Sequence, residues 1–252
     1  MEQESILWDL QCKEKNMKIK LNGYQDFVLY IDKKYTKVGM KLSGGFDSSL
    51  VAYALSKYVI EERPDIKIIP ITTNQIGKPY QVQFAKGVVK FLKKEFGDIF
   101  LKHKTNVSSE FNTYGSTQQE LVDSLYKQKI IDCHLNGITK NPPIDAVPNP
   151  PILERSQNKI LPYEHLYDYE NQQHLAQSPI NVQAVAFKGM SYQPLLNIDK
   201  KGVWQLYNYF GITQSLFPLT RTCEAITEDF SKHCGECWWC KERAWGTGGI
   251  LD

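Results

Sequence analysis

Apolar positions fall in two rhythms along this chain. Lys37 to Leu42 is a short apolar run that ends at Ser43-Gly44-Gly45. From Ser48 to Ile60, residues Leu50, Val51, Ala54, Leu55 and Tyr58 then share one helical face, so the segment reads as strand, glycine turn, helix. Ile66 to Thr72 is a near-continuous β-branched run, as expected of a strand buried on both faces, although its Pro70 favours an edge. Phe84 to Phe96 predicts an amphipathic helix stopped by Gly97. A strand over Ile99–Val107, a helix over Gln118–Lys129 and a strand over Ile130–Leu135 follow. This alternation predicts an α/β fold, a doubly wound, Rossmann-like parallel sheet.

The rhythm differs on either side of that block. Tyr24 to Ile31 alternates loosely and predicts a strand, placed in an N-terminal extension or small hairpin over residues 1–34. Residues 35–190 form the main domain. Within it, Asn141 to Pro179 is rich in proline (Pro142, Pro143, Pro148, Pro150, Pro151, Pro162) and reads as an inserted loop or lid, at about 141–180. Regular structure resumes at Asn181–Phe187. In the C-terminal region, 191–252, Asp199 predicts an N-cap for a helix over Lys200–Phe210, closed by Gly211.

Composition narrows the classes. A chain of 252 residues with 42% hydrophobic and 23% charged residues can bury a substantial core. A net charge of +2 is too mild to argue for nucleic acid, which is left open but not favoured. No run of about 18 apolar residues suggests a membrane helix. Met1 to Lys20 carries charges throughout, unlike a secretory signal. The expectation is a cytoplasmic protein with no membrane partner, with room for a homodimer.

The first candidate chemistry is the turn Leu42-Ser43-Gly44-Gly45-Phe46-Asp47-Ser48. Two glycines after a strand let backbone N–H groups approach an anion, and the following helix start favours phosphate. Ser43 and Ser48 add hydroxyl donors. Asp47 suits a helix-start acceptor that shapes the loop, or a residue near a phosphate-bound Mg²⁺. No Gly-Lys-Ser/Thr and no Gly-x-Gly-x-x-Gly occurs at this turn, which excludes the two commoner phosphate loops. Asn136 and Gly137, at a strand's carboxyl end, are placed to meet the same ligand, as are Thr73 and Asn74. Lys200 opposes the dipole of its helix, so phosphate or plain solvation must explain it. Arg221 suits a phosphate or a carboxylate.

Four of the six cysteines cluster as Cys223-x10-Cys234-x2-Cys237-x2-Cys240. Four thiolates at this spacing can wrap one tetrahedral ion, with Zn²⁺ the best fit, and an iron–sulfur cluster stays open for the same ligands. His233 reads as solvent-facing rather than as a ligand. Cys133 and His134 read as core packing. Trp238 and Trp239 suit either shielding of the metal module or stacking on a purine, and Tyr163, Tyr167 and Tyr169 suit closure over a base.

The set Ser43, Gly44, Gly45, Asp47, Ser48 matches Ser-Gly-Gly-x-Asp-Ser, so the chain resembles the PP-loop ATP pyrophosphatase family. The resemblance implies an adenine nucleotide alpha hydrolase type of fold, ATP and Mg²⁺, and adenylation of a substrate oxygen with loss of pyrophosphate. With the cysteine spacing, Pro194-Leu195-Leu196 before Asp199-Lys200, Phe217–Cys223 and Cys237–Trp245, the chain is similar to the 7-cyano-7-deazaguanine synthases. That likeness implies a carbon–nitrogen ligase of queuosine biosynthesis, joining ammonia to a 7-deazapurine carboxylate. It implies Asp47, Ser48, Lys200 and Arg221 as catalytic residues. Asn136 to Pro142 is basic where that family has an acidic loop. Alternatives are tRNA thiolation by the same ATP half-reaction, with Cys133 as its cysteine, a sulfonucleotide reductase, and a non-catalytic nucleotide- or nucleic-acid-binding protein touching phosphates through Lys232, Lys241 and Arg243.

Overall fold

The computed structural model describes residues 16–75, 80–108, 114–151, 167–168, 173–174, 182–185, 189–224 and 230–252. The chain opens with an antiparallel pair, β1 (Met17–Ile19) and β2 (Phe27–Leu29). The alternation at Tyr24–Ile31 is thus realised over its middle residues. Its inward side chains Phe27, Leu29 and Ile31 are buried in the main core together with Ile19.

The central sheet then builds from β3 (Lys37–Lys41), β4 (Lys67–Gln75), β5 (Lys104–Ser108) and β6 (Cys133–Leu135). These alternate with α1 (Phe46–Glu61), α2 (Tyr80–Phe96) and α3 (Tyr114–Lys127). After the short pair β7 (Tyr167–Asp168) and β8 (Gln173–His174) come β9 (Val182–Val185) and β10 (Gly189–Tyr192). The six-stranded order is β5-β4-β3-β6-β10-β9, parallel except for β9 at the edge. α4 (Lys200–Tyr209), a 3₁₀ turn at Phe217–Leu219 and α5 (Trp238–Thr247) complete the described chain.

The helices lie on both faces, as alternation along β4 shows. Ile68 faces the large core with Val38, Met40, Leu50, Leu55, Val88 and Leu92, which are residues of β3, α1 and α2. Ile69 and Ile71 face a second core with Val122 and Leu125 of α3. Period-two side chains therefore divide the hydrophobic residues between two layers, which makes the sheet doubly wound. α1 is buried almost all round because α2 and α4 also pack against it.

Pro70 sits in an interior strand, against its edge preference. Alternate main-chain groups of β4 face opposite neighbours: Ile71 O accepts from Leu42 on the β3 side, while Ile68 bonds Ile99 and Leu101 on the other. Pro70 shares the side of Ile68. There its missing N–H falls between the bridge at Ile68–Phe100 and the start of the β5 ladder at Ile71–Lys104. The strand expected over Ile99–Val107 is interrupted at that gap, which is why the proline is tolerated. Gly189–Tyr192 was not marked as a strand by its hydrophobic pattern, since its partner supplies the pairing. Most of the proline-rich insert, including Tyr163 and Tyr169, lies outside the described residues, as does the Tyr167 side chain. No described helix is long and apolar enough to cross a membrane.

Candidate functional site at the switch between β3 and β6

Strand order runs one way from β3 through β4 to β5 and the other way to β6. The carboxyl ends of β3 and β6 thus diverge, leaving the crevice in which open α/β sheets bind ligands. β3 delivers Leu42-Ser43-Gly44-Gly45 to one side of it, and β6 delivers Asn136-Gly137 to the other.

The loop is braced from within. Ser43 N donates to Ser48 Oγ at 3.2 Å, the two hydroxyls lie 3.0 Å apart, and Gly45 N donates to Ser43 Oγ at 3.2 Å. Gly44 has φ +76°, and a Cβ there would stand 2.5 Å from Phe84 Cβ and 2.6 Å from Ala85 N. Only glycine lets the loop turn left-handed while α2 presses on it. Gly45 is the N-cap of α1 and has no side chain, so the first turn of the helix receives no capping bond from that position. Gly137 packs directly on it: a Cβ would lie 2.7 Å from Ser48 N and 2.8 Å from Ser48 Cα. Asn136 is held by Asn136 N to Tyr192 O at 3.1 Å and Asn136 Nδ2 to Ser191 Oγ at 3.1 Å.

Opposite the loop, Lys200 explains its place in the first turn of α4. It is 2% exposed, so solvent does not account for it. Its Nζ donates to Asp47 Oδ2 at 2.5 Å and to Thr139 Oγ1 at 3.1 Å, and lies 3.3 Å from Glu242 Oε2. Burial by itself would lower the Lys200 pKa, but Asp47 and Glu242 outweigh it and raise it. Asp199 caps α4 through Lys201 N and Gly202 N, and accepts from Tyr24 of the β1–β2 hairpin. Asp47 Oδ1 is buried without a hydrogen-bond partner among the described residues.

α5 closes this side. Gly246 lets it approach, since a Cβ there would stand 2.3 Å from Lys200 Cβ. Trp239 and Glu242, three residues apart and so on one helical face, both line the crevice. At the start of α5, the Sγ atoms of Cys223, Cys234, Cys237 and Cys240 all lie within 4.8 Å of one another. The Cys234–Cys240 and Cys223–Cys237 pairs are 3.9 Å apart. Cys234 Sγ accepts from Cys237 N at 3.3 Å, and Cys223 Sγ from Cys234 N at 3.4 Å, as thiolates do around a metal. The four can hold a metal ion.

His233 is not solvent-facing, because its side chain is 3% exposed. It accepts from Thr222 N at 3.0 Å and pairs with Asp252, and so bolts the cysteine loop to the C-terminal segment. Arg243 cannot touch a nucleic-acid backbone. It is fully buried, donating to Thr220 and Thr222 and stacked 3.9 Å from the Phe217 ring centroid.

The crevice encloses ≈ 320 Å³, and its lining includes Ser43, Gly45, Asp47, Ser48, Asn136, Gly137, Lys200 and Arg221. No family model matches the chain, and no curated protein does either. Among solved structures it is similar to the U34-tRNA thiolase NcsA from Methanococcus maripaludis with its [4Fe-4S] cluster. That likeness has 16% identity and a TM-score of 0.46, over 84% of this chain and 70% of that one.

The remaining sequence-marked residues sit differently. Arg221 reaches the loop by its main chain, Arg221 N donating to Gly44 O at 2.9 Å. Its guanidinium is held by the carbonyls of Phe230 and Lys232 and lies over the rings of Tyr80 and Phe230. Leu42 is core, its carbonyl accepting from Thr72. Thr73 is buried and donates to Asn106 Oδ1 at 2.7 Å on the α3 side, away from the crevice lining. Cys133 is buried in the main core and does not line the crevice. Burial raises its pKa well above the ordinary thiol value.

Three lining residues carried no signal in the sequence. Glu242 lay hidden in the charged run after Cys240, and Thr139 in a loop. Lys41 read as the polar end of a strand. It lines the crevice from the α3 face, where burial pushes its ammonium down to about 8 against the pull of Asp123.

Proposed function

We propose that this chain binds ATP on the Ser43–Ser48 turn, cleaves it between the α- and β-phosphates, and transfers AMP to a carboxylate of a second substrate. One observation carries the reading: the uncapped start of α1, bent by Gly44 and pressed by Gly137, opens at the sheet's switch point into a crevice of small-molecule size. Amides at a helix start supply fixed dipoles for phosphates, and Ser43 and Ser48 hold them in place. Asp47, with one buried oxygen unpartnered and the other on Lys200, fits a Mg²⁺ that offsets the charge of the leaving pyrophosphate. Lys200, itself held by Thr139 and Glu242, fixes the Asp47 carboxylate in orientation.

The acceptor that the sequence resemblance supports is 7-carboxy-7-deazaguanine: ammonia displaces AMP from the acyl adenylate to give the amide, and a second ATP adenylates the amide oxygen so that loss of AMP and a proton leaves the nitrile. Trp239, on the crevice wall, suits the face of a flat heteroaromatic ring. The cysteine set fits one tetrahedral zinc. Bonds of about 2.3 Å from a common centre set thiolates about 3.8 Å apart, close to the separations found here. A cubane cluster places its thiolates on different iron atoms and would need them farther apart. In this reading the zinc is structural and holds α5, with Trp239 and Glu242, against the crevice.

The test is incubation with ATP, Mg²⁺, ammonium and 7-carboxy-7-deazaguanine, followed by product analysis. AMP and pyrophosphate formed only when the acid is present support the proposal. ADP as product rules out cleavage at the α-phosphate, and acid-independent turnover rules out this acceptor.

A further inference from the structure

Three cations line the crevice: Lys200, Arg221 and Lys41. The first two are engaged within the protein, Arg221 through only part of its guanidinium. Lys200 donates its ammonium to Asp47 and Thr139 and forms an ion pair with Glu242 at 3.3 Å. Its charge is met by two carboxylates, so it offers an incoming anion little attraction. Arg221 Nη1 serves two main-chain carbonyls of the cysteine loop.

Lys41 differs in both respects. It projects from the last residue of β3 on the face opposite α1, the face on which Gly39 meets Ile71, Ile131 and His134. Its one hydrogen bond among the described residues is a long 3.5 Å contact to Gln119 Oε1. Asp123 is the carboxylate that acts on it, and it is itself engaged by Gln119 Nε2 at 2.8 Å. His134, the ionisable group facing Lys41 from β6, is held neutral by burial and by Lys41 itself, and bonds Tyr126. A half-compensated ammonium inside a cavity is costly unless an anion completes it.

We propose that Lys41 is the substrate-binding residue that takes the acceptor's carboxylate, holding it beside the phosphate loop. This rests on the carboxylate-activating reading above and extends it to the group that orients the reacting oxygen. The two sides of the crevice then divide the work. The α1 side, with Asp47 and Lys200, faces the phosphates. The α3 side, with Lys41 and Gln118, faces the acid. The depressed pKa agrees with an ammonium that lacks its partner until substrate arrives.

Two measurements on the full chain decide it. Calorimetry compares 7-carboxy-7-deazaguanine with the neutral 7-cyano compound on the wild type and on Lys41→Met. The acid is expected to weaken about 10- to 100-fold in the variant, the scale of a charged hydrogen bond, with the nitrile unchanged. Equal loss of both ligands overturns the assignment. In the wild-type protein, trace acetic anhydride labels free amines, and peptide mass spectrometry reads Lys41. The acid should protect Lys41 at least as strongly as it binds, and the nitrile should not. If that acid fails to bind while another heteroaromatic carboxylate (nicotinate, orotate or indole-3-carboxylate) protects Lys41, the acceptor's identity falls and Lys41 stands. If no carboxylate protects it, the inference is wrong.

Discussion

The crevice has two walls, one with a buried lysine and one with a half-buried lysine, that treat the charge in opposite ways. On the α4–α5 wall, Lys200 is saturated by Asp47, Glu242 and Thr139. On the α3 wall, Lys41 keeps one long contact and a pKa pushed down to about 8. A saturated ion pair fixes geometry, whereas an unsaturated one stores a demand for a ligand. On the proposed reading, the difference separates the residues that shape the Ser43–Ser48 turn from the one that would receive a second substrate. It also shows that a cation's presence in a pocket says little until its partners are counted.

The largest expected effect lies behind the saturated wall. Cys237→Ser should lose the bound metal, read by elemental analysis as a fall from one ion per chain, and should lower stability by several kcal/mol, read by chemical denaturation. α5 loosens with it, so Glu242 and Trp239 leave their places. Retained metal with unchanged stability would detach the cysteines from the crevice altogether.

Next comes Gly137→Ala, on neither wall but at their junction. Its methyl would lie 2.7 Å from Ser48 N, and backbone cannot yield as a side-chain tip does. A shift of the loop by about 1 Å should cost about 100-fold in turnover. Stability should fall less than in Cys237→Ser. An unimpaired rate would mean that the loop is not held from β6.

Asp47→Asn removes half of what saturates Lys200. Turnover should vanish with the fold intact. Breaking this pair should cost less than the ~3–5 kcal/mol of a fully enclosed one, because Glu242 stays and Asp47 is 19% exposed. A variant with normal rate would remove Asp47 from the chemistry.

The smallest effect has the opposite sign. The folded pKa of Lys41, about 8, lies below its ordinary value of 10.5, so the unfolded chain binds more protons between those values. Stability therefore carries a penalty below about pH 8 that is relieved as pH rises towards 10.5. Lys41→Met should stabilise the ligand-free protein at pH 7 by on the order of 1–3 kcal/mol, with the gain shrinking above pH 8 in denaturation curves at several pH values. Destabilisation at pH 7 would show that Lys41 is already fully partnered.

What the sequence disclosed follows from locality. The glycine turn, the Asp199 cap and the Cys-x2-Cys steps are determined by neighbours in the chain, so their residue types announce them. The two cores follow from period-two alternation in β4, where Ile68 and Ile69 part company. The Lys200–Asp47 pair spans 153 residues, and Glu242 reaches it from a third element, so only packing reveals that Lys200 is neutralised rather than solvated. Lys41 was hidden for the same reason, as a polar strand end becomes a half-buried cation only once α3 packs beside it. Pro70 misled because its tolerance depends on a gap in the neighbouring ladder.

The most direct test of the whole account is a crystal structure with a non-hydrolysable ATP analogue and Mg²⁺. The account predicts the phosphates within hydrogen-bonding distance of the main-chain N–H groups of Gly45 to Ser48, with the metal on Asp47. A nucleotide bound elsewhere, with that turn vacant, would contradict it.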